Sequence, residues 1–386
     1  MHARTIQFTL LIGTLVLPIC RLEGSDRRSD ADFREALAKL AAVKADGTGN
    51  REAAAAWKRV AGASPEQLTE LLAAMDDAGP LGRNWLRVAF EGAVDRLSRQ
   101  GADMPLEAIQ AFVLDRQHSP AARELAFEWL TQVEPKIKGR LVSRFLDDPS
   151  VALRREGVAD LIGRAKQELK SGSKEAAERL FERSLQAARD KDQVQQVAKA
   201  LRRMGHEVDL PRHFGFLTRW RLIGPFDNSE RAGFAAVYPP EKERNAKAEY
   251  EGKDGKKIRW IDYRTKDDFG MVDLNKPFGK LKDAVGYAWT TFDSDRPQDV
   301  ELRLGCKNAW KLWVNGRLVF ARDEYHRGMR MDQYRFPVRL KAGPNEILVK
   351  LCQNEQQETW TVEWQFQLRV CDATGTAILS AGDHAQ

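Results

Sequence analysis

Apolar residues recur at every second position through much of the C-terminal third. In 360–370, Trp360, Val362, Trp364, Phe366, Leu368 and Val370 alternate with Thr361, Glu363, Gln365, Gln367 and Arg369. That period predicts a strand with one buried and one wet face. Residues 299–306 alternate likewise through Val300, Leu302, Leu304 and Cys306. The apolar run 310–320 is interrupted by Asn315-Gly316, a pair suited to the positive φ angles of a two-residue hairpin turn. Further strands are expected in 257–263, 270–275, 286–293 and 336–350, with 241–257 as a mobile excursion or weak hairpin about Asp254-Gly255. About eight such strands make an antiparallel two-sheet β-sandwich.

From residue 30 to 205 the period changes to 3.6, in segments rich in Ala, Leu, Arg and Glu. About ten helices are expected. Several begin at Pro: Ser64-Pro65, Met104-Pro105, Ser119-Pro120, Glu134-Pro135 and Asp148-Pro149. A Ser or Asp before Pro is a helix cap with Pro at the first helical position, where its missing N–H costs nothing. Gly205 suits the end of the last helix. The expected organisation is a signal peptide over 1–24, helices over 30–205, a joint over 206–217 and the sandwich over 218–380.

Two resemblances sharpen this. Residues 122–130 (Ala-Arg-Glu-Leu-Ala-Phe-Glu-Trp-Leu) align with 153–161 (Leu-Arg-Arg-Glu-Gly-Val-Ala-Asp-Leu), each behind a Pro. This resembles the HEAT-type repeat, which implies an α-solenoid whose groove docks a protein partner. In such repeats the residues matching Arg123 and Arg154 hold neighbouring helices by bonding the turn. In the β half, Trp313-Val314-Asn315-Gly316-Arg317 followed by Leu340-Lys341-Ala342-Gly343-Pro344-Asn345-Glu346-Ile347-Leu348-Val349 is similar to the galactose-binding-like jelly roll. The sugar-binding domain of family 2 glycoside hydrolases is the nearest case. In that family these residues build turns and core and do not touch sugar. A helical-repeat half joined to such a sandwich also looks like secreted bacterial proteins of unassigned function.

Near the N-terminus, residues 6–19 are mostly apolar behind His2 and Arg4. The stretch has signal-peptide length and is too short to cross a bilayer. Export to the periplasm, envelope or exterior is expected, with membrane attachment only if Cys20 is lipidated. The net charge of +6 comes from 62 basic and 56 acidic residues dispersed along 386, which argues against nucleic acid as partner. Cys306, Cys352 and Cys371 form no disulfide framework and read as buried thiols, although Cys352 with Cys371 is one conceivable bridge.

Catalytic signatures are missing, and no cofactor motif appears. No histidine stands at metal-ligand spacing along the chain. Asp267-Asp268, Asp293 with Asp295, and Asp323-Glu324 read as solvated loop acids, one set being a candidate for a structural Ca²⁺. The best candidate site is the loop Asp323-Glu324-Tyr325-His326-Arg327-Gly328, whose mix of ring and hydrogen-bonding groups suits a carbohydrate. Trp360 and Trp313 are candidates to join it, Trp313 having the opposite parity to its neighbours; the alternative for all these aromatics is the core. The expected function is non-catalytic carbohydrate binding at the cell envelope, with a protein partner on the helices. The alternatives are a scaffold that binds only protein and, further off, a glycan-processing enzyme.

Overall fold

The computed structural model describes residues 22–382. Residues 1–21 of the expected signal peptide, Cys20 among them, lie outside the described residues. The chain forms a helical N-terminal region followed by antiparallel sheets, and its contacts divide it into two compact units, Met1–Leu153 and Arg154–Gln386.

The first unit holds α1 (Leu22–Ala41), α2 (Asn50–Ala61), α3 (Leu68–Ala73), α4 (Pro80–Arg99), α5 (Leu106–Leu114), α6 (Pro120–Val133) and α7 (Lys138–Val142). Their apolar stripes close on one core through Phe33, Leu40, Leu71, Leu86, Phe90, Ile109, Leu130 and Phe145. Gly82 lets α4 cross α1 closely, since a Cβ there would meet the Ala41 carbonyl oxygen at 2.4 Å. Ser119 caps α6 through the Ala122 N–H, with Pro120 in the first helical position. At Asp148-Pro149 the cap falls later: Ser150 accepts from the Leu153 N–H, and Asp148 is occupied by Arg123. Both Arg123 and Asp148 are 1% exposed. Two guanidinium bonds of 2.8 and 2.6 Å join them, while Nε donates to the Val113 carbonyl. Arg123 therefore holds a turn from inside and presents nothing to a partner.

The second unit begins within α8 (Val151–Lys170) and continues through α9 (Lys174–Ala187), α10 (Lys191–Arg203) and α11 (Leu210–Phe214). The dividing line thus falls well before the expected joint at 206–217. The cause is a set of bonds tying α9–α11 to the sheets. Arg202 grips Asp268 at 2.7 and 2.9 Å, Arg189 reaches Thr376, and the Val370 N–H donates to the Gly215 carbonyl.

Twelve strands follow in the described residues: β1 (Arg219–Asp227), β2 (Glu249–Glu251), β3 (Lys257–Arg259), β4 (Ile261–Arg264), β5 (Val272–Asp273), β6 (Ala284–Ser294), β7 (Gln298–Cys306), β8 (Ala309–Val314), β9 (Arg317–Arg322), β10 (Tyr334–Leu340), β11 (Gly343–Gln353) and β12 (Gln365–Cys371). A six-stranded sheet runs β4-β1-β6-β11-β8-β9, and a four-stranded sheet runs β10-β7-β12-β5. Every pairing is antiparallel. Their facing side chains share one core, including Leu222, Ala288, Leu312 and Val349 from one sheet and Leu302, Leu304, Phe366 and Leu368 from the other. Asn315 (φ 50°) and Gly316 (φ 79°) make the β8–β9 turn, with Val314 opposite Arg317.

Three expectations can be set against the structure. First, β12 begins at Gln365, not at 360, and both its faces are buried. Gln367 (3%) and Arg369 (2%) are covered, because Arg369 bonds Asp332 at 2.7 and 2.5 Å and the Phe214 and Gly375 carbonyls. Second, of the two alternatives for 241–257 the hairpin about Asp254-Gly255 is the one formed. This β2–β3 hairpin is part of a layer covering the outer face of the six-stranded sheet, where Ile223, Phe226, Trp260, Tyr287 and Leu348 form a second apolar cluster. Lys350, fully buried, pins this layer by bonding the Phe234 and Ala236 carbonyls and Glu241. Third, Cys306, Cys352 and Cys371 are free, buried thiols as expected, and the conceivable Cys352–Cys371 bridge is not formed, the two lying on β11 and on β12 of the other sheet.

Candidate functional site

Four segments of the second unit converge at one rim: 227–231 after β1, 282–283 before β6, the β9–β10 loop, and 353–361 after β11. Asn228 is the centre of the join. Its backbone N–H donates to the Asp283 carbonyl, and its side-chain amide donates to the Gln353 carbonyl at 2.8 Å and the Tyr325 hydroxyl at 3.2 Å. Asp283 in turn donates to the Asn354 carbonyl. Lys282 fixes the last segment through the carbonyl and hydroxyl of Thr361. Burial lowers the Lys282 pKa, opposed by neighbouring acids.

On this frame His326 donates from Nε2 to the Asn354 side-chain oxygen at 2.7 Å, and Asn354 donates to Gln356. The Trp360 ring stands edge to face against His326, 5.5 Å between centroids, and is 54% exposed. Arg231 lies over the Tyr325 ring, 5.3 Å from its centroid, while bonding Glu355 at 3.1 and 2.5 Å. That bond holds the Glu355 carboxyl below the usual range. Burial lowers the His326 pKa, opposed by the hydrogen bond to Asn354. Burial likewise raises the Tyr325 phenol.

Two physical signs set this rim apart. Among the described residues, seven non-glycine residues have positive φ, and Glu230, Arg231, Asp283 and His326 are four of them. Such geometry costs energy and persists only where the surroundings impose it, as at binding sites. Buried polar atoms without a protein partner also gather here: Asn228 Oδ1, Asp283 Oδ1 and His326 Nδ1.

The structure brings Tyr325, His326 and Trp360 together. Glu324 instead bonds Arg322 and Arg327, and Asp323 is exposed beside them. Trp313 is not at the rim: 8% exposed, it packs in the outer apolar cluster with Tyr287 and Leu348. Sequence reading missed Asn228, Arg231, Lys282, Asn354 and Glu355. The only cue was Gly224-Pro225 shortly before Asp227-Asn228, which the structure places within β1 where its pairing with β6 shifts register. Of the candidate Ca²⁺ ligands, Asp267 caps its own turn through the Phe269 and Met271 N–H groups, and Asp268 pairs with Arg202.

No family model matches the chain, and no curated protein matches it. Solved structures similar to part of it include β-glucosidase from Kluyveromyces marxianus in complex with glucose, at 14% identity over 23% of this chain and 11% of that one, TM-score 0.19. The selenomethionine-labelled β-glucosidase from Kluyveromyces marxianus gives 15% over 39% and 16%, TM-score 0.24. The GH31 α-xylosidase Xac1773 from Xanthomonas citri gives 12% over 41% and 18%, TM-score 0.21. The chain spans less than a fifth of each of these proteins' length.

Proposed function

We propose that this chain is an exported, non-catalytic carbohydrate-binding protein whose sugar site is the Trp360 rim. In this reading the two sheets are a galactose-binding-like jelly roll and the first unit is a HEAT-like solenoid. The buried Arg123–Asp148 clasp supports the latter, and the two-layer antiparallel core supports the former. The observation that carries the function is Trp360, a large ring left half in water yet fixed edge-on by His326. A sugar's C–H face lies on such a ring, and its hydroxyls exchange hydrogen bonds with amides, carboxylates and guanidinium groups. Gln356, Gln357, Glu358 and Arg231 are the nearby groups of that kind.

The helical unit would dock a protein partner. An open groove of ≈ 370 Å³ lined by Arg87, Glu91, Val94, Glu128, Trp129 and Val133 supports that role. Export rests on the apolar stretch 6–19 and is tested by fractionation of the native host. The sugar site is tested by binding of the full chain to a glycan array. Retention on a subset of neutral glycans, abolished by Trp360→Ala, is the expected result. An array with no signal would favour the scaffold reading instead.

A further inference from the structure

We infer that the second unit carries a site for a divalent transition metal, formed by Glu178, Glu182 and His206. The ligating atoms of these three side chains lie within 4.8 Å of one another. Glu178 and Glu182 are one turn apart on α9, so both carboxylates project from the same face. Like charges at that spacing repel unless a cation lies between them. His206 arrives from a different element, just after α10. Its placement is not that of a loose chain end: Gly205 takes φ 99°, and the His206 N–H closes onto the Leu201 carbonyl at 3.1 Å. This helix-ending geometry fixes the backbone from which the imidazole reaches α9.

The donor set is one imidazole and two carboxylates, which suits Zn²⁺ and its neighbours better than Ca²⁺ or Mg²⁺. His206 Nε2 is 2.7 Å from Glu178, a hydrogen bond whose shared proton an incoming metal would displace as the two atoms part to ligand spacing. Glu182 is exposed. The plain alternative is a His206–Glu178 ion pair that needs no metal, and Glu182 distinguishes the two. The ion pair bonds Glu178 alone, whereas a metal would draw in Glu182 as well. His206 and Glu178 are about one third exposed, so an ion has a path in and solvent can fill the remaining coordination positions.

The test is calorimetric titration of the full, chelator-stripped chain with Zn²⁺ alone. One site is expected, weakened about tenfold or more by Glu182→Gln and by His206→Ala. Glu175→Gln, on the same helix outside the triad, is expected to leave it unchanged. Co²⁺ bound at the same stoichiometry should give visible absorption that Glu182→Gln removes. Far-ultraviolet circular dichroism of Glu182→Gln confirms that its fold is kept. No heat of binding, or Zn²⁺ affinity in Glu182→Gln equal to the parent's, would overturn the assignment and leave only the ion pair.

Discussion

His213 gives a sharp test of how α11 is held over the four-stranded sheet. Its Nε2 donates to the Ala188 carbonyl at 3.2 Å, and its ring stands edge-on to Phe214. Burial first, then repulsion from Arg189, brings its pKa down to about 4 from 6.5. The folded chain therefore keeps His213 neutral at pH values where the unfolded chain protonates it. Stability is complete above pH 6.5 and is lost as pH falls from 6.5 through about 4. The shift corresponds to about 3 kcal/mol, reduced somewhat by the ring's partial exposure. His213→Gln keeps a neutral donor and has no proton to gain. Urea unfolding of both proteins, followed by tryptophan fluorescence at intervals from pH 7.5 to 4, should show the parent's advantage shrinking by about 2–3 kcal/mol. A difference that stays constant across that range would refute the reasoning.

Other outcomes follow from the same structure. Arg123→Ala takes both guanidinium bonds from the buried Asp148 carboxylate, leaving it the Ser150 N–H and the more distant Arg116, and should cost about 3 kcal/mol, read from the urea midpoint; a cost below about 1 kcal/mol would contradict its role as a clasp. Lys350→Met leaves the Phe234 and Ala236 carbonyls without their donor and Glu241 with only Tyr287, so hydrogen exchange across 229–260 should quicken. Unchanged protection would show that the outer layer is held by apolar contact alone. Burial pushes the Cys306 and Cys352 thiols up to about 12 and Cys371 up to about 11, so alkylation at pH 8 should leave all three unmodified until denaturant is added.

The halves and most strands were legible because period 2 and period 3.6 are direct imprints of a buried face. Asn315-Gly316 fixed a hairpin because few residue pairs tolerate two positive φ angles. The pattern misled where a second layer covers what would otherwise be a wet face. Arg369 and Gln367 look solvent-facing along the chain, yet both are covered, Arg369 by its bonds to Asp332 and to Phe214 of α11, and nothing local to 360–370 announces that. Trp313 failed for the same reason: its parity does put it outside the shared core, but the outer face is roofed by the hairpin layer. Tyr325, His326 and Trp360 were found as a loop mixture of rings and polar groups. Asn228 and Arg231 were not, because they come within reach only through pairings almost a hundred residues apart. Glu178, Glu182 and His206 escaped similarly: the His lies far along the chain from the acids, on the next turn of the fold and not at a ligand spacing.

The most direct trial of the sugar-binding account is a single spectrum. With 5-fluorotryptophan in place of tryptophan, the ¹⁹F resonance absent from Trp360→Phe identifies Trp360. Titration with a glycan retained on the array should shift that resonance in a saturable way while the core tryptophans Trp310 and Trp364 stay fixed. A Trp360 signal unmoved at glycan concentrations that saturate retention would place the sugar elsewhere and contradict the rim assignment.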